Sequence, residues 1–304
     1  MPTNPKLTDT TGMQRKILVF GANGQVGREL TSRALGLAVG FDRASVDICV
    51  EAAVRQAVHD HPPAAIVNAA AYTAVDRAET EPDEAFRVNR DGAAVLAEAA
   101  ASAGVPFIQL STDYVFDGTK RAPYDEDDPV APLGVYGLSK AEGERAVRSV
   151  CPRHVILRTA WVYSPYGTNF VRTMLRLAAD RPELRIVDDQ TGCPTAAADI
   201  ASTIAAIVEK ANQPAFTAWG TYHYCGADIL SWYGFATRIF EAAATYGQKT
   251  PQLVPISTAA YPTQASRPAY SVLAMGKLER TFGIRPRPLR EGLRGCLDAL
   301  IGGR

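Results

Sequence analysis

Four short apolar runs set the rhythm of the chain: "KILVF" at residues 16–20, "AAIVNAA" at 64–70, "PFIQLS" at 106–111 and "HVILRTAWVY" at 154–163. None alternates polar with apolar residues, so each has the pattern of a strand covered on both faces, as in a parallel sheet. "LAVGFD" at 37–42 adds one more. Helical stretches separate them: one opens at a glycine loop, others lie around 50–59 and from about 83 to 103, and a fourth carries Lys140. Strands alternating with helices predict an α/β chain built on a Rossmann-type doubly wound parallel sheet.

Beyond residue 164 the alternation loosens. "FVRTMLRLAAD" and "AADIASTIAAIVEK" read as helices, "LRIVDD" and "TYHYC" as strands, and prolines punctuate 251–288. Three parts are expected: a flexible leader over 1–12, a Rossmann domain over 13–163, and a smaller α/β domain over 164–304 with some elements returning to the first.

The segment "VFGANGQVGREL" places Gly21, Gly24 and Gly27 between the first strand and its helix. Without Cβ atoms this turn can approach a pyrophosphate, and the helix N-terminus adds free N–H donors. The alternative is a bare strand-to-helix turn. Asp42 ends the next strand, where a carboxylate suits ribose hydroxyls, whereas the adjacent Arg43 would welcome a 2′-phosphate; NADH and NADPH both fit.

Tyr136 and Lys140 stand one helical turn apart, on one face. An ammonium near a phenol favours its ionised form, which has a purpose where a proton must reach an oxygen. A lone YxxxK is weak, but "STDYVF", with Thr112, follows one strand and "NAAAYTAVD" another. Loops at the carboxyl ends of parallel strands converge on one crevice. The proline-rich, acidic connection "DGTKRAPYDEDDPVAPLG" at 117–134 is then either a lid at the cleft mouth or a solvated loop.

Composition narrows the partners. Thirty-two basic residues balance 32 acidic ones in a chain of 304, leaving no net charge to draw nucleic acid or an anionic membrane. The five cysteines form no CxxC pair and the four histidines are scattered, so neither a disulfide framework nor a metal site is expected. No apolar run approaches the roughly 20 residues of a membrane span. A cytoplasmic protein acting on a small molecule is the expectation.

The series GxxGxxG, "NAAAYTAVDRAE", "STDYVFDG", "PLGVYGLSK", "RTAWVY", "NFVRTMLRLA", "VDDQTGCPT" and "RPAYSVL" resembles the extended short-chain dehydrogenases/reductases, and within them the dTDP-4-dehydrorhamnose reductase family. The likeness runs from about Lys16 to the last helix. It implies reduction of the C4 ketone of dTDP-4-dehydro-6-deoxy-L-mannose to dTDP-L-rhamnose by NADPH or NADH. By the same resemblance Thr112, Tyr136 and Lys140 are catalytic, and Gly24, Gln25 and Val26 face the pyrophosphate. Asp42 meets the adenosine ribose, Asp47 and Ile48 the adenine, and Ala69, Ala70, Ala71 and Leu110 line the cofactor. Asp113 and Trp161 touch the sugar.

In the mechanism so implied, Tyr136 protonates the developing oxyanion and Thr112 hydrogen-bonds it, while Lys140 lowers the tyrosine pKa and anchors the ribose. Arg267, in "SRPAYS", is the candidate for the nucleotide diphosphate, with an ordinary loop arginine as the alternative.

Some members of the family are dimers bridged by magnesium on glutamates. The matching segment here, "GCPTAAADIA", offers alanines and Asp199, and the end "LDALIGGR" has no glutamate, which speaks against a magnesium bridge and leaves monomer and homodimer open. The rival readings are a reductase or epimerase acting on a related 4-keto-6-deoxy nucleotide sugar, and a non-catalytic nucleotide-binding regulatory subunit. Retention of threonine, tyrosine and lysine together favours catalysis.

Overall fold

The computed structural model describes residues 15–33 and 36–302, so the leader expected over 1–12 lies outside the described residues. The first half alternates as the apolar runs predict: β1 (Lys16–Phe20), α1 (Gln25–Arg33), β2 (Ala38–Phe41), α2 (Glu51–Asp60), β3 (Pro63–Asn68), α3 (Val75–Ala78), α4 (Pro82–Phe86), α5 (Gly92–Ala103), β4 (Phe107–Thr112), α6 (Val135–Val150) and β5 (His154–Thr159). There follow β6 (Val162–Tyr163), α7 (Phe170–Asp180), β7 (Glu183–Val187), β8 (Thr191–Gly192), β9 (Thr195–Ala196), α8 (Ala197–Ala211), β10 (Gly220–His223), β11 (Leu230–Ser231), α9 (Trp232–Ala244), β12 (Gln252–Ile256), α10 (Gly276–Phe282) and α11 (Leu289–Ile301).

Six parallel strands form the main sheet in the order β2-β1-β3-β4-β5-β10. β3 and β5 are buried along their whole length, which is why their sequences carry no polar alternation. On one face Leu18, Phe20 and Ile66 pack against Val54 of α2, Leu96 of α5 and Val147 of α6. On the other, Val19, Val67 and Leu157 meet Val26 and Leu30 of α1 together with Ile200, Ile204 and Ile207 of α8. α1 alone cannot cover that face; α8, β10 and α10, which brings Leu278 into the same core, are elements of the second half that return to the sheet. A separate core joins Val171 and Met174 of α7, Leu184 of β7, Phe235 and Ile239 of α9, and Leu293 and Leu297 of α11.

Strand order positions the site. β2 is added on one side of β1 and β3 on the other, so a crevice opens at their carboxyl ends, where the direction of growth reverses.

Three local expectations change. The single helix expected from 83 to 103 is interrupted at Arg87–Asp91 by a wider π turn. Trp161, inside an apolar run that reads as one strand, occupies the break between β5 and β6 with φ +47°. The connection 117–134 is stapled in its middle: Tyr124 is buried, stacks on Phe116 at 4.2 Å, donates its N–H to the Val272 carbonyl (2.8 Å) and accepts from Ala274 N (2.8 Å). A ring that buries itself among Phe116, Val272 and Leu273 pins the middle of the connection, while residues 121–123 before it and 129–131 after it are exposed.

Candidate active site

The β1–α1 turn is dictated by glycine. A Cβ on Gly21, whose φ is +85°, would lie 2.4 Å from the Ala70 nitrogen, and one on Gly27 would lie 2.1 Å from the Gly21 carbonyl oxygen. These two glycines let the loop nest on the end of β3. A Cβ on Gly24, at the N-terminus of α1, would meet Gly21 O at 3.2 Å, tight but less obstructed than the other two.

That N-terminus opens onto a cavity of about 630 Å³. Of the sequence-predicted residues, Gly21, Gly24, Gln25 and Val26 form one wall; Arg43, Asp47 and Ile48 a second; Ala69, Ala70, Ala71 and Leu110 a third; and Tyr136 and Lys140 the end. Gly27 packs behind the loop and does not line the space. Neither does Asp42, whose carboxylate accepts from Asn23 Nδ2 (2.5 Å) and from Ser45 N (2.9 Å), bonds that hold it below the usual carboxylate range, the Ser45 N–H most of all. Arg43 is exposed and paired with Glu84 at 3.2 Å.

Sequence reasoning missed several walls. Thr73, Val88, Gly167 and Thr168 also line the cavity. Gln25 brings the last two in, since its Oε1 accepts from Ser164 Oγ (2.8 Å) and Asn169 Nδ2 (2.9 Å). Asn89, on the π turn, is buried and accepts from Tyr72 N (2.9 Å) while donating to Ser139 Oγ of α6 (2.9 Å), joining the loop after β3 to the helix that carries Tyr136. Such turns often aim a residue into a functional site. The partners are separated by 17 and 50 positions, so no local pattern announces them.

Thr112, Tyr136 and Lys140 come together at the end of β4. A Cβ on Gly137 would sit 2.2 Å from the Tyr114 carbonyl oxygen, so only glycine lets the start of α6 come this close to the turn after β4. Thr112 Oγ1 donates to Asp113 Oδ1 (3.1 Å) and accepts from Tyr114 N (3.2 Å). Tyr136 is half-buried and lines the cavity: burial pushes the phenol up to about 12, a hydrogen bond with Thr112 opposes that rise, and Asp113 reinforces it.

Lys140 Nζ donates to the Leu110 carbonyl at 2.7 Å rather than to Tyr136, and burial lowers the ammonium to about 8 against the pull of Glu144. Thr112, not Lys140, is therefore the group that opposes the rise of the phenol. Asp113 is fully buried, its Oδ2 meets no partner, and burial raises it to about 6 despite the Ser271 and Thr112 hydroxyls.

Trp161 and Arg267 stand on the other side. One face of the Trp161 indole is covered by Trp232, with ring centres 3.5 Å apart and planes within 4°. Trp232 donates Nε1–H to Gln190 Oε1 (3.1 Å), and both residues line a second cavity of about 550 Å³ between α7, β7 and the loop holding Arg267. Arg267 grips Asp76 through Nη2 (2.7 Å) and Nη1 (3.2 Å), a forked pair across 191 positions at the rim of that cavity.

The segment matching the family's magnesium site does not suit a metal. Asp199, the one carboxylate in it, already faces the Arg287 guanidinium at 3.3 Å, and no cluster of three metal-ligating side chains occurs among the described residues. No step is drawn through magnesium.

A family model described as the RmlD substrate binding domain matches residues 15–301. The chain is 47% identical over 291 residues to a dTDP-4-dehydrorhamnose reductase of Sinorhizobium fredii (strain NBRC 101917 / NGR234), covering 94% of this chain and 98% of that protein. Its fold superposes with a TM-score of 0.87 on the dTDP-4-dehydrorhamnose reductase of Clostridium acetobutylicum ATCC 824, 39% identical over 94% of this chain and 99% of that one. The enzyme of the same name from Bacillus anthracis str. Ames, solved in complex with NADP, is 36% identical with the same TM-score of 0.87, covering 94% of this chain and 99% of that one.

Proposed function

The chain belongs to the dTDP-4-dehydrorhamnose reductase family, and on that premise we propose that it reduces the C4 ketone of dTDP-4-dehydro-6-deoxy-L-mannose to give dTDP-L-rhamnose, with Thr112, Tyr136 and Lys140 as its catalytic groups. The 630 Å³ cavity suits NADPH or NADH: a turn that glycines draw tight against the end of β3, a helix N-terminus toward the pyrophosphate, and Lys140 at the nicotinamide end for the ribose hydroxyls. When bound, the dinucleotide supplies the hydride to C4.

The remaining work falls to the protein. As C4 becomes tetrahedral its oxygen gathers negative charge; Tyr136 gives that oxygen its proton, and Thr112 turns its one O–H from Asp113 Oδ1 to hydrogen-bond it. A phenol held near 12 stays protonated at neutral pH and is still more acidic than the secondary alcohol it produces, so the transfer runs downhill. The observation that carries the reading is geometric: Tyr136 and Lys140 close the end of the same cavity that the glycine turn and the α1 N-terminus open. Asp113 steers the Thr112 hydroxyl, while Trp161 walls the sugar. The nucleotide lies toward the second cavity, where Arg267 trades Asp76 for the diphosphate.

The proposal assigns residues 13–163 mainly to cofactor and 164–304 mainly to substrate. It uses residues of one chain only, so monomer and homodimer are equally competent. It places the reaction in the cytoplasm, where the dinucleotide pool lies; no helix among the described residues is long and apolar enough to cross a membrane. The test is oxidation of NADPH and NADH by purified protein with the 4-keto substrate, followed by identification of the sugar. dTDP-L-rhamnose is the expected product. No oxidation, or a sugar of opposite C4 configuration, overturns the assignment.

A further inference from the structure

Behind the Tyr136–Lys140 pair, α6 carries a third polar residue on the same stripe. Glu144 is one turn beyond Lys140, and both side chains are buried in the seam between the helix and the main sheet. No carboxylate among the described residues contacts the Lys140 ammonium. Both Glu144 oxygens are already taken: Arg158 of β5 donates Nε to Oε1 (2.8 Å) and Nη2 to Oε2 (2.7 Å), and Arg148 adds Nη2 to Oε2 (2.8 Å). The forked clamp lets the anion be felt without letting it capture the lysine, whose stem leans toward the helix N-terminus and the cavity.

We infer that Glu144 is a positioning residue for the reaction: held by Arg158 and Arg148, it supplies the buried negative charge that keeps the Lys140 ammonium protonated while leaving it free to face the cofactor cavity. The inference rests on the reading of that cavity as the dinucleotide site. Glu144 touches neither substrate nor cofactor and acts through Lys140 alone.

The surroundings leave few other groups to do this. On α6 itself stand Tyr136 and Arg148; Asp113 comes from the turn after β4, Arg158 from β5, His223 from β10, and Glu126 from the connection before α6. His223 is fully buried, and desolvation, with Arg158 beside it, pushes its imidazole down to about 3, so it is neutral across the working range. Its Nδ1 lies 3.1 Å from the Tyr124 carbonyl and its Nε2 3.4 Å from Arg158, the pairing of a neutral ring that donates from Nδ1 and accepts at Nε2. Glu126 accepts from His223 N at 3.1 Å and lies behind Arg158 rather than beside Lys140. Against the burial that pushes it up, Arg158 holds the Glu144 carboxyl below its ordinary value, so this anion persists through neutral pH.

Two variants shift the lysine in opposite directions. Glu144→Gln removes the anion and leaves Arg158 and Arg148 without it, so the alkaline limb of the kcat/KM profile, and of NADPH binding followed by cofactor fluorescence, moves to lower pH by about one unit. Arg148→Ala removes the half-exposed cation that competes for Glu144 and moves both limbs to higher pH by roughly half a unit. A merely structural role would lower turnover equally at every pH and move neither limb.

A folded Glu144→Gln with an unmoved limb overturns the inference. Should that variant not fold, Arg148→Ala decides, with no upward shift as the contradicting result. Wild-type protein that binds NADPH with an alkaline limb but never oxidises it with the 4-keto sugar contradicts the proposed activity and leaves this inference standing, because the binding profile still reports Lys140.

Discussion

The two sides of the crevice are built from different materials. The side proposed for the cofactor is made of backbone: glycines nested on a strand end, three consecutive alanines, and a helix N-terminus. The side proposed for the substrate is made of side chains recruited from far apart, such as Arg267 on Asp76, Trp232 on Trp161, and Gln190 under Trp232. Backbone geometry is local and leaves a motif in the sequence; a pair separated by 191 positions does not. The difference teaches where each side fails: the first when a methyl is added, the second when a partner is removed.

The largest effect is expected from the first kind of change. Gly21→Ala puts a methyl 2.4 Å from backbone in a left-handed conformation, so NADPH affinity should fall roughly a hundredfold by fluorescence titration. Near-normal affinity would mean that the loop yields and that backbone is not what builds this side.

That contrast also explains what the sequence made legible. The strands and the glycine turn follow from apolar runs and from glycines at fixed spacing, whereas the walls at Ala69, Ala70, Ala71 and Leu110 come only with the family resemblance. Asn89, Gln25 as a tie to residues 164–169, and the Arg267–Asp76 fork do not, because their partners are chosen by the fold. Trp161 misleads for a related reason. "RTAWVY" reads as strand, yet the chain turns there and spends a strained φ of +47° to lay the indole on Trp232. Lys140 misleads at the level of chemistry, since spacing alone aims it at Tyr136 and the structure ties it to Leu110 O.

Next in size is a pH effect at the seam where the second half returns to the sheet. His223 of β10 titrates near 6.5 when unfolded and, through desolvation, near 3 when folded. Between those values the unfolded chain binds more protons, so folding stability falls as pH drops below about 6.5, by up to about 1.4 kcal/mol per unit until pH 3. Asp113, raised by burial to about 6 when folded, works in the opposite sense. The reading is therefore a difference: urea unfolding of His223→Gln should show a flatter loss between pH 6.5 and 4 than wild type. Parallel curves would contradict the neutral, buried imidazole.

A smaller change probes the substrate side. Arg267→Met should raise KM for the nucleotide sugar about tenfold while the NADPH Kd stays put; equal damage to both would erase the division between the two sides. Smallest of all is Arg43→Ala, which removes an exposed cation paired with Glu84. It should lower the NADPH-to-NADH preference a few-fold without changing turnover at saturation, and an unchanged ratio would take Arg43 out of cofactor choice.

The central claim is that a neutral, half-buried tyrosine delivers the proton that completes hydride transfer. Tyr136→Phe tests it in a single measurement, the single-turnover oxidation of prebound NADPH by the 4-keto sugar. The account predicts a rate lower by on the order of a hundredfold or more, with NADPH binding nearly intact. A rate within a few-fold of wild type would contradict it and pass the proton to another group.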